Sequence, residues 1–262
     1  MKKKKDKSTI QSVIQKAFLG AWIIILILLF TGNFKSAHSF CPYSAICFGG
    51  MAPKGYVAFK ITAIIGVIIA ASSLFFARFF CGYACLFGTL QDMIYKRKKK
   101  IKISETLNKY LLSLKYLILF FTLYAAFSLS QFVYMKFCPV LAISFPTAIT
   151  ISGFISLAVI FIAGIFIERF WCRYICPYAA FMNIFSYIGK VLHIPKYSVY
   201  RIKSDCIDCM LCEKECPMNI TISAYDKHLK DPNCTFCLKC IPACPTDGLV
   251  CTSVYSPKKK DK

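Results

Sequence analysis

Four apolar runs, separated by polar and charged connections, set the plan of this chain. They cover about residues 17–34, 56–76, 110–128 and 151–167. Each approaches the roughly 20 residues that an α-helix needs to cross a bilayer, so the pattern predicts four membrane helices. The connections differ sharply in charge. Segment 35–55 carries only Lys35 and Lys54, and segment 129–150 only Lys136, whereas the 77–109 connection and both ends are strongly basic. Cytoplasmic loops of membrane proteins collect Lys and Arg. A multi-pass protein of the cytoplasmic membrane, with both termini cytoplasmic, satisfies that rule throughout. A basic start, a short apolar core and the Ala37-His38-Ser39 triplet also resemble a cleaved signal peptide. An internal repeat, which needs the first span in place, argues against that reading. Lys60 and Lys115 fall inside apolar spans, and an intramembrane lysine is a functional candidate by default. Both lie within about two turns of a span end, so snorkelling to the interface is the expected account.

The repeat is direct. "FCPYSAICF" at 40–48 matches "FCPVLAISF" at 137–145, and "RFFCGYACLFGTL" at 78–90 matches "RFWCRYICPYAAF" at 169–181. Each copy reads span, outer Cys-Pro loop, span, inner Cys-x3-Cys, in the same direction through the membrane. Parallel repeats of this kind are related by an axis along the membrane normal. Such an axis brings Cys81 and Cys85 to Cys172 and Cys176 at the cytoplasmic rim. Four thiolates around one point suit a [4Fe–4S] cluster or a zinc ion; the plain alternative is four small buried hydrophobes. Arg78 and Arg169 are duplicated too, either to offset the charge of a thiolate cluster or as cytoplasmic anchors. In the outer loops Cys41 and Cys138 correspond, while Cys47 faces Ser144 across the repeat. A disulfide, a loop dipping into the bilayer, and a redox or metal role for Cys41 and Cys138 all remain open there.

Composition agrees with the membrane reading: 57% of residues are hydrophobic and 17% charged. The net charge of +21 would suit nucleic-acid binding if it covered a soluble face. Instead the basic clusters at 2–5, 96–102, 190–203 and 258–262 adjoin apolar segments or form tails, so no nucleic-acid partner is expected.

The strongest chemistry lies near the C-terminus. Cys206-x2-Cys209-x2-Cys212-x3-Cys216-Pro217 is followed by Cys234-x2-Cys237-x2-Cys240-x3-Cys244-Pro245. In this bacterial two-cluster pattern three cysteines wrap one cubane and the fourth crosses to the other. Cys206, Cys209, Cys212 and Cys244 are therefore expected to hold cluster I, and Cys234, Cys237, Cys240 and Cys216 cluster II. Zinc sites more often show paired Cys-x2-Cys. Cys251 falls outside the pattern and is expected to be structural or free. Two adjacent [4Fe–4S] clusters imply electron transfer. The three histidines, His38, His193 and His228, include no intramembrane pair for a haem; there is neither a Cys-x-x-Cys-His haem motif nor a Gly-rich dinucleotide loop.

The expected fold is thus membrane α-helical: four transmembrane helices as a duplicated two-helix repeat, plus a C-terminal two-cluster ferredoxin domain. The expected divisions are a basic N-terminus at 1–15, a transmembrane domain at 16–192 with halves about 16–94 and 109–186, a ferredoxin-like domain at 199–252 and a basic tail at 253–262.

"CGYAC" at 81–85, "CRYICP" at 172–177 and the two ferredoxin runs resemble the polyferredoxin-like membrane proteins of periplasmic nitrate and nitrous-oxide reduction. The nearest form is the quinol dehydrogenase membrane subunit of periplasmic nitrate reductase. The resemblance covers about residues 10–250. Membrane motifs of that family usually end in proline, as the second copy does at Pro177; the first has Leu86. The resemblance implies a quinol dehydrogenase component that exchanges electrons between the quinone pool, or a cytoplasmic donor, and a redox partner. It implies a quinone as ligand and a flavin- or cluster-binding extracytoplasmic protein as partner, because the flavin-binding domain of larger relatives is absent here. The residues suit two other roles equally: a cluster-bearing reductase that assists metal or cofactor assembly, and a membrane redox sensor.

Overall fold

The computed structural model describes residues 2–30, 57–95, 103–128, 139, 151–194 and 196–253. The outer-loop cysteines Cys41, Cys47 and Cys138, and the matching Cys-Pro loops apart from Pro139, lie outside the described residues. The helical part runs α1 (Lys2–Phe30), α2 (Val57–Phe76), α3 (Phe79–Tyr83), α4 (Leu86–Ile94), α5 (Glu105–Ser128), α6 (Ile151–Phe166), a π-helical turn (Trp171–Ile175) and α7 (Pro177–Val191). A small lobe follows, with β1 (Tyr197–Arg201), α8 (Leu211–Lys214), α9 (Cys240–Ala243) and β2 (Leu249–Ser253).

Helices coincide with all four apolar runs. Among the described residues one segment, Thr106–Ala126, is by itself long and apolar enough to cross a membrane. Gln11–Ile25, Ile64–Phe76 and Ile151–Phe166 are shorter apolar stretches. All four long helices leave large apolar side chains uncovered, among them Ile24, Ile68, Phe120 and Phe154. Apolar faces of this extent belong against lipid or a protein partner.

The two copies of the repeat pack across each other. Helix α2 of the first copy lies on α7 of the second, and α4 of the first lies on α6 of the second. These are equivalent pairings, as a two-fold relation requires. At the first seam Ser73 donates to the Met182 carbonyl at 2.9 Å and the Tyr178 hydroxyl to the Gly66 carbonyl at 2.8 Å. The buried core of this part includes Ala70, Leu119, Ala180 and Met182.

Lys115 departs from expectation. Its side chain is fully buried, and its ammonium donates to the Asn233 side-chain carbonyl of the C-terminal lobe. A protein acceptor there takes the place of the aqueous interface that a snorkelling lysine reaches. Lys60 lies on α2, with its side chain outside the described residues.

The C-terminal lobe is closed by one antiparallel pair. Strand β1 meets β2 in a register from Tyr197 opposite Ser253 to Arg201 opposite Leu249. Between them the two ligand loops wrap a core of Val199, Met218, Ile220, Ile222 and Ile241. The loops use the same backbone conformations. Asp208, Met210 and Asn219 have φ of 49°, 56° and 51°, and Phe236, Leu238 and Asp247 have 52°, 59° and 60° at matching positions. Left-handed backbone at non-glycine residues is strained by about 1–2 kcal/mol each. Its recurrence at the same positions shows that the duplicated motif follows one backbone path.

Candidate iron–sulfur centres

Each Cys-x3-Cys motif sits where a helix breaks. The chain takes a left-handed turn at Ala77 (φ 53°) in the first copy and at Arg169 (φ 53°) in the second. A short turn follows, α3 in one copy and the π-turn in the other; π-turns are rare and concentrate at functional sites. Cys85 then caps α4 and Cys176 caps α7, both extended, with φ/ψ of −72°/122° and −63°/112°. Pro177 occupies the first helical position of α7, where its missing N–H is not needed. Leu86 fills the same position of α4 without changing the cap, so the missing proline of the first copy is structurally neutral.

The four cysteines come together. Cys81 packs with Cys176 in one apolar cluster, and Cys172 with Cys85 and Cys176 in the next. Burial pushes the Cys81 thiol up to about 11 and the Cys176 thiol up to about 12. Cys85 is drawn down to about 7, first by its hydrogen bond with Cys172 and then, against burial, by the Gly88 and Phe87 amides. The Ala179 and Tyr178 amides act in the same sense on Cys176. Two buried and two half-buried cysteines, with helix-end amides turned toward Cys85 and Cys176, suit thiolates bound to a cationic centre. Among the described residues no three His, Cys, Asp or Glu side chains converge tightly enough for a single metal ion. Four cysteines suit a cubane, in which each iron takes one thiolate; a tetrahedral zinc would use the same four.

Two arginines lock the halves reciprocally. Arg78 of the first copy donates to the Cys172 carbonyl of the second at 3.3 Å. Arg169 of the second donates to the Cys81 carbonyl of the first at 3.2 Å. Both guanidinium groups are fully buried, which excludes the reading of surface anchors. Arg169 also makes a bidentate pair with Asp92, both bonds at 2.7 Å. Asp92 receives further bonds from Gln15 of α1 at 3.1 Å and from Lys239 of the lobe at 3.2 Å. One carboxylate therefore ties α1, both repeats and the lobe together.

The eight lobe cysteines line two cavities. Cys206, Cys209, Cys212 and Cys244 line one. Cys216, Cys234, Cys237 and Cys240 line the other. Four cysteines at each are the donor set that a cubane uses. At the first, Arg201 donates through Nε and Nη2 to Cys206 Sγ at 3.3 Å each. At the second, the Phe236 amide donates to Cys234 Sγ at 3.4 Å. Cys209 is exposed, whereas Cys237 and Cys240 are buried. Cys251 lies exposed on β2, in neither cavity.

The lobe docks onto the helical part through the second set. The Arg78 amide donates to the Cys234 carbonyl at 3.2 Å, and the Arg78 side chain donates to the Asn233 carbonyl. Tyr83 donates to the Cys237 carbonyl at 3.5 Å, and Asn183 to Asn233 Oδ1 at 3.3 Å. Phe76 stacks on Tyr197 at 5.5 Å. Gly82 sits at the tightest point: a Cβ there would lie 2.5 Å from the Thr235 carbonyl oxygen. Its repeat counterpart, Arg173, is buried and donates to Asn108 at 2.6 Å instead. The Gly82→Ala variant is expected to loosen the lobe by about 1–3 kcal/mol, the usual cost of overpacking. Faster limited proteolysis of the lobe, with Gly20→Ala as the neutral control, checks this, since a Cβ at Gly20 meets nothing within 4 Å.

Sequence reasoning did not single out Gly82, Asp92, Asn233, Thr235 or Arg201. Aligning the repeats does expose Gly82, because glycine opposite arginine is the sharpest mismatch within the two Cys-x3-Cys motifs.

The comparisons with known proteins divide along the same lines. A 4Fe–4S binding domain family matches residues 61–104 and 149–195, one Cys-x3-Cys in each segment, and a 4Fe–4S dicluster domain family matches residues 198–245. An uncharacterized protein of Methanocaldococcus jannaschii is 30% identical over 243 residues, covering 88% of this chain and 94% of that protein. YccM of Escherichia coli (strain K12), named as a candidate electron transport protein, is 28% identical, covering 81% of this chain and 60% of its own length. The regulatory protein NosR of Stutzerimonas stutzeri is 29% identical, covering 68% of this chain and 25% of its own length. No solved structure matches the chain.

Proposed function

This chain belongs to the polyferredoxin-like 4Fe–4S family of these relatives, and from that premise we propose that it is a membrane electron-transfer subunit serving the quinone pool. In this reading the halves at about 16–94 and 109–186 contribute four spans, with both termini cytoplasmic. The lobe at 199–252 carries cluster I on Cys206, Cys209, Cys212 and Cys244, and cluster II on Cys234, Cys237, Cys240 and Cys216. A third cluster sits on Cys81, Cys85, Cys172 and Cys176. When bound, such clusters take up and release single electrons with little rearrangement of their ligands. The basic connections and the uncovered apolar faces of the four long helices support the membrane assignment.

One observation carries the proposal. The Cys81–Cys85 loop touches the Cys234–Cys237 loop directly, through Gly82 against Thr235 and Tyr83 on the Cys237 carbonyl. This contact supports a relay in which the inter-repeat site stands beside cluster II, and the exposure of Cys209, Ile207 and Met210 supports an outward-facing cluster I. In this reading the relay runs from the bilayer side to a soluble redox partner. Quinol added to the anaerobic protein in lipid nanodiscs is expected to raise EPR signals of reduced clusters. Clusters that stay oxidised at every quinol-to-quinone ratio, yet accept electrons from a low-potential chemical reductant, overturn the quinone assignment.

The regulatory name of NosR favours a second reading, a membrane redox sensor. A sensor shows no sustained quinol turnover with any acceptor, so the same preparation separates the two.

A further inference from the structure

We propose that the Thr235 hydroxyl donates a hydrogen bond to a sulfur of cluster II and thereby favours its reduced form. The inference rests on the reading of the lobe as a two-cluster carrier. Thr235 is the second residue of the Cys234-x2-Cys237 run. It is 1% exposed, and its Oγ1 has no hydrogen-bond partner among the described residues. A buried hydroxyl left unpaired costs about 1–3 kcal/mol, and proteins rarely leave one so.

The surroundings point to the acceptor. Thr235 lines the cavity of Cys216, Cys234, Cys237 and Cys240, whose other lining residues are Val, Met, Ile and Leu side chains. Besides the cysteines, nothing in that lining offers a side-chain acceptor of comparable strength. The threonine is also held in place: its carbonyl oxygen is pressed toward Gly82, and the flanking cysteines accept from Arg78 and Tyr83. The matching residue of the other loop is Ile207, 64% exposed and without a hydroxyl; there a different donor, Arg201, reaches Cys206 Sγ.

Reduction adds one electron to the cluster and makes its sulfurs more negative. A fixed O–H donor therefore binds the reduced form more strongly. The hydroxyl keeps its proton, and no bond forms or breaks. Loss of such a bond is expected to shift the reduced-to-oxidised ratio at a set potential about tenfold, equivalent to about 59 mV for one electron.

The test uses the full-length protein, purified anaerobically and titrated with dithionite and mediators under EPR. The cluster II signal is identified by its loss in Cys237→Ser. In Thr235→Val and Thr235→Ala its reduced fraction at a set potential is expected to fall about tenfold, with the other signals unmoved. Thr235→Ser, which keeps the donor, is expected to titrate like the parent. Loss of cluster II in Val and Ala but not in Ser also supports the bond, as a requirement for assembly. An unshifted titration in Val or Ala overturns the inference, and so does loss or an equal shift in Ser. Absence of the Cys237-dependent signal from the parent protein overturns the two-cluster reading itself, a distinct result.

Discussion

On the proposed three-cluster arrangement, Cys81→Ser is expected to remove one cluster and leave two. Iron in the anaerobically purified protein is expected to fall from about twelve to about eight atoms per chain, with the two lobe signals intact in EPR. The expectation follows from the way the inter-repeat site is built. Cys81 is buried among Met182, Ala180 and Tyr178, with its thiol 3.7 Å from the Met182 sulfur. A hydroxyl there binds iron poorly and has lost the polarizable sulfur that suits this pocket. The Cys81 backbone carbonyl, which receives Arg169, is unchanged, so the helical framework is expected to survive. A parent protein with only eight irons would refute the third site outright. Loss of lobe signals in the variant would instead show that the site is structural for docking.

Asparagine at Asp92 is expected to cost about 3–5 kcal/mol, the usual penalty for removing one partner of a buried ion pair. Asp92 and Arg169 are 7% and 0% exposed at their side chains. Neutralising the acid leaves a buried guanidinium, and the Lys239 ammonium beside it, without their counter-charge. Denaturant unfolding of the detergent-solubilised protein checks the magnitude. Lys239→Met, at a site 24% exposed, is expected to cost far less. The pH dependence has a definite sign. Burial works to raise the Asp92 carboxyl, but the Arg169 charge and hydrogen bonds outweigh it and hold the group at about 2, below its ordinary 3.8. A depressed carboxylate contributes its full stability above the unfolded value. The contribution of the pair is therefore complete above 3.8 and is lost as pH falls from there toward about 2.

Much of this could be read from the chain before any coordinates. Cysteine spacing sorts the eight lobe cysteines into two sets of four, with Cys216 and Cys244 crossing over, and the same two sets line two separate cavities. The duplication predicts that Cys81 and Cys85 lie near Cys172 and Cys176, because membrane repeats running in the same direction are commonly related by an axis along the membrane normal. The Lys115 contact was not legible. Hydropathy sees a lysine near the end of a span, and the acceptor, Asn233, lies in a different part of the fold. Asp92 was equally silent: one acid among the basic residues of the 77–109 connection carries no periodic signal, and its partners come from α1, the second repeat and the lobe. The arginines were visible as a duplicated pair, but their exchange of carbonyl partners depends on the cross-packing of α2 with α7 and α4 with α6.

The crosswise grip of Arg78 and Arg169 has a bearing on biogenesis. A nascent chain that has emerged only as far as α5 holds half of the sulfurs and none of the carbonyls that Arg78 needs. The pocket cannot close until residues 169–176 are made and inserted. A metal centre bound at this position would have to arrive after residues 169–176 are made, whereas the cysteines of the lobe follow one another in a single later stretch, residues 206–244.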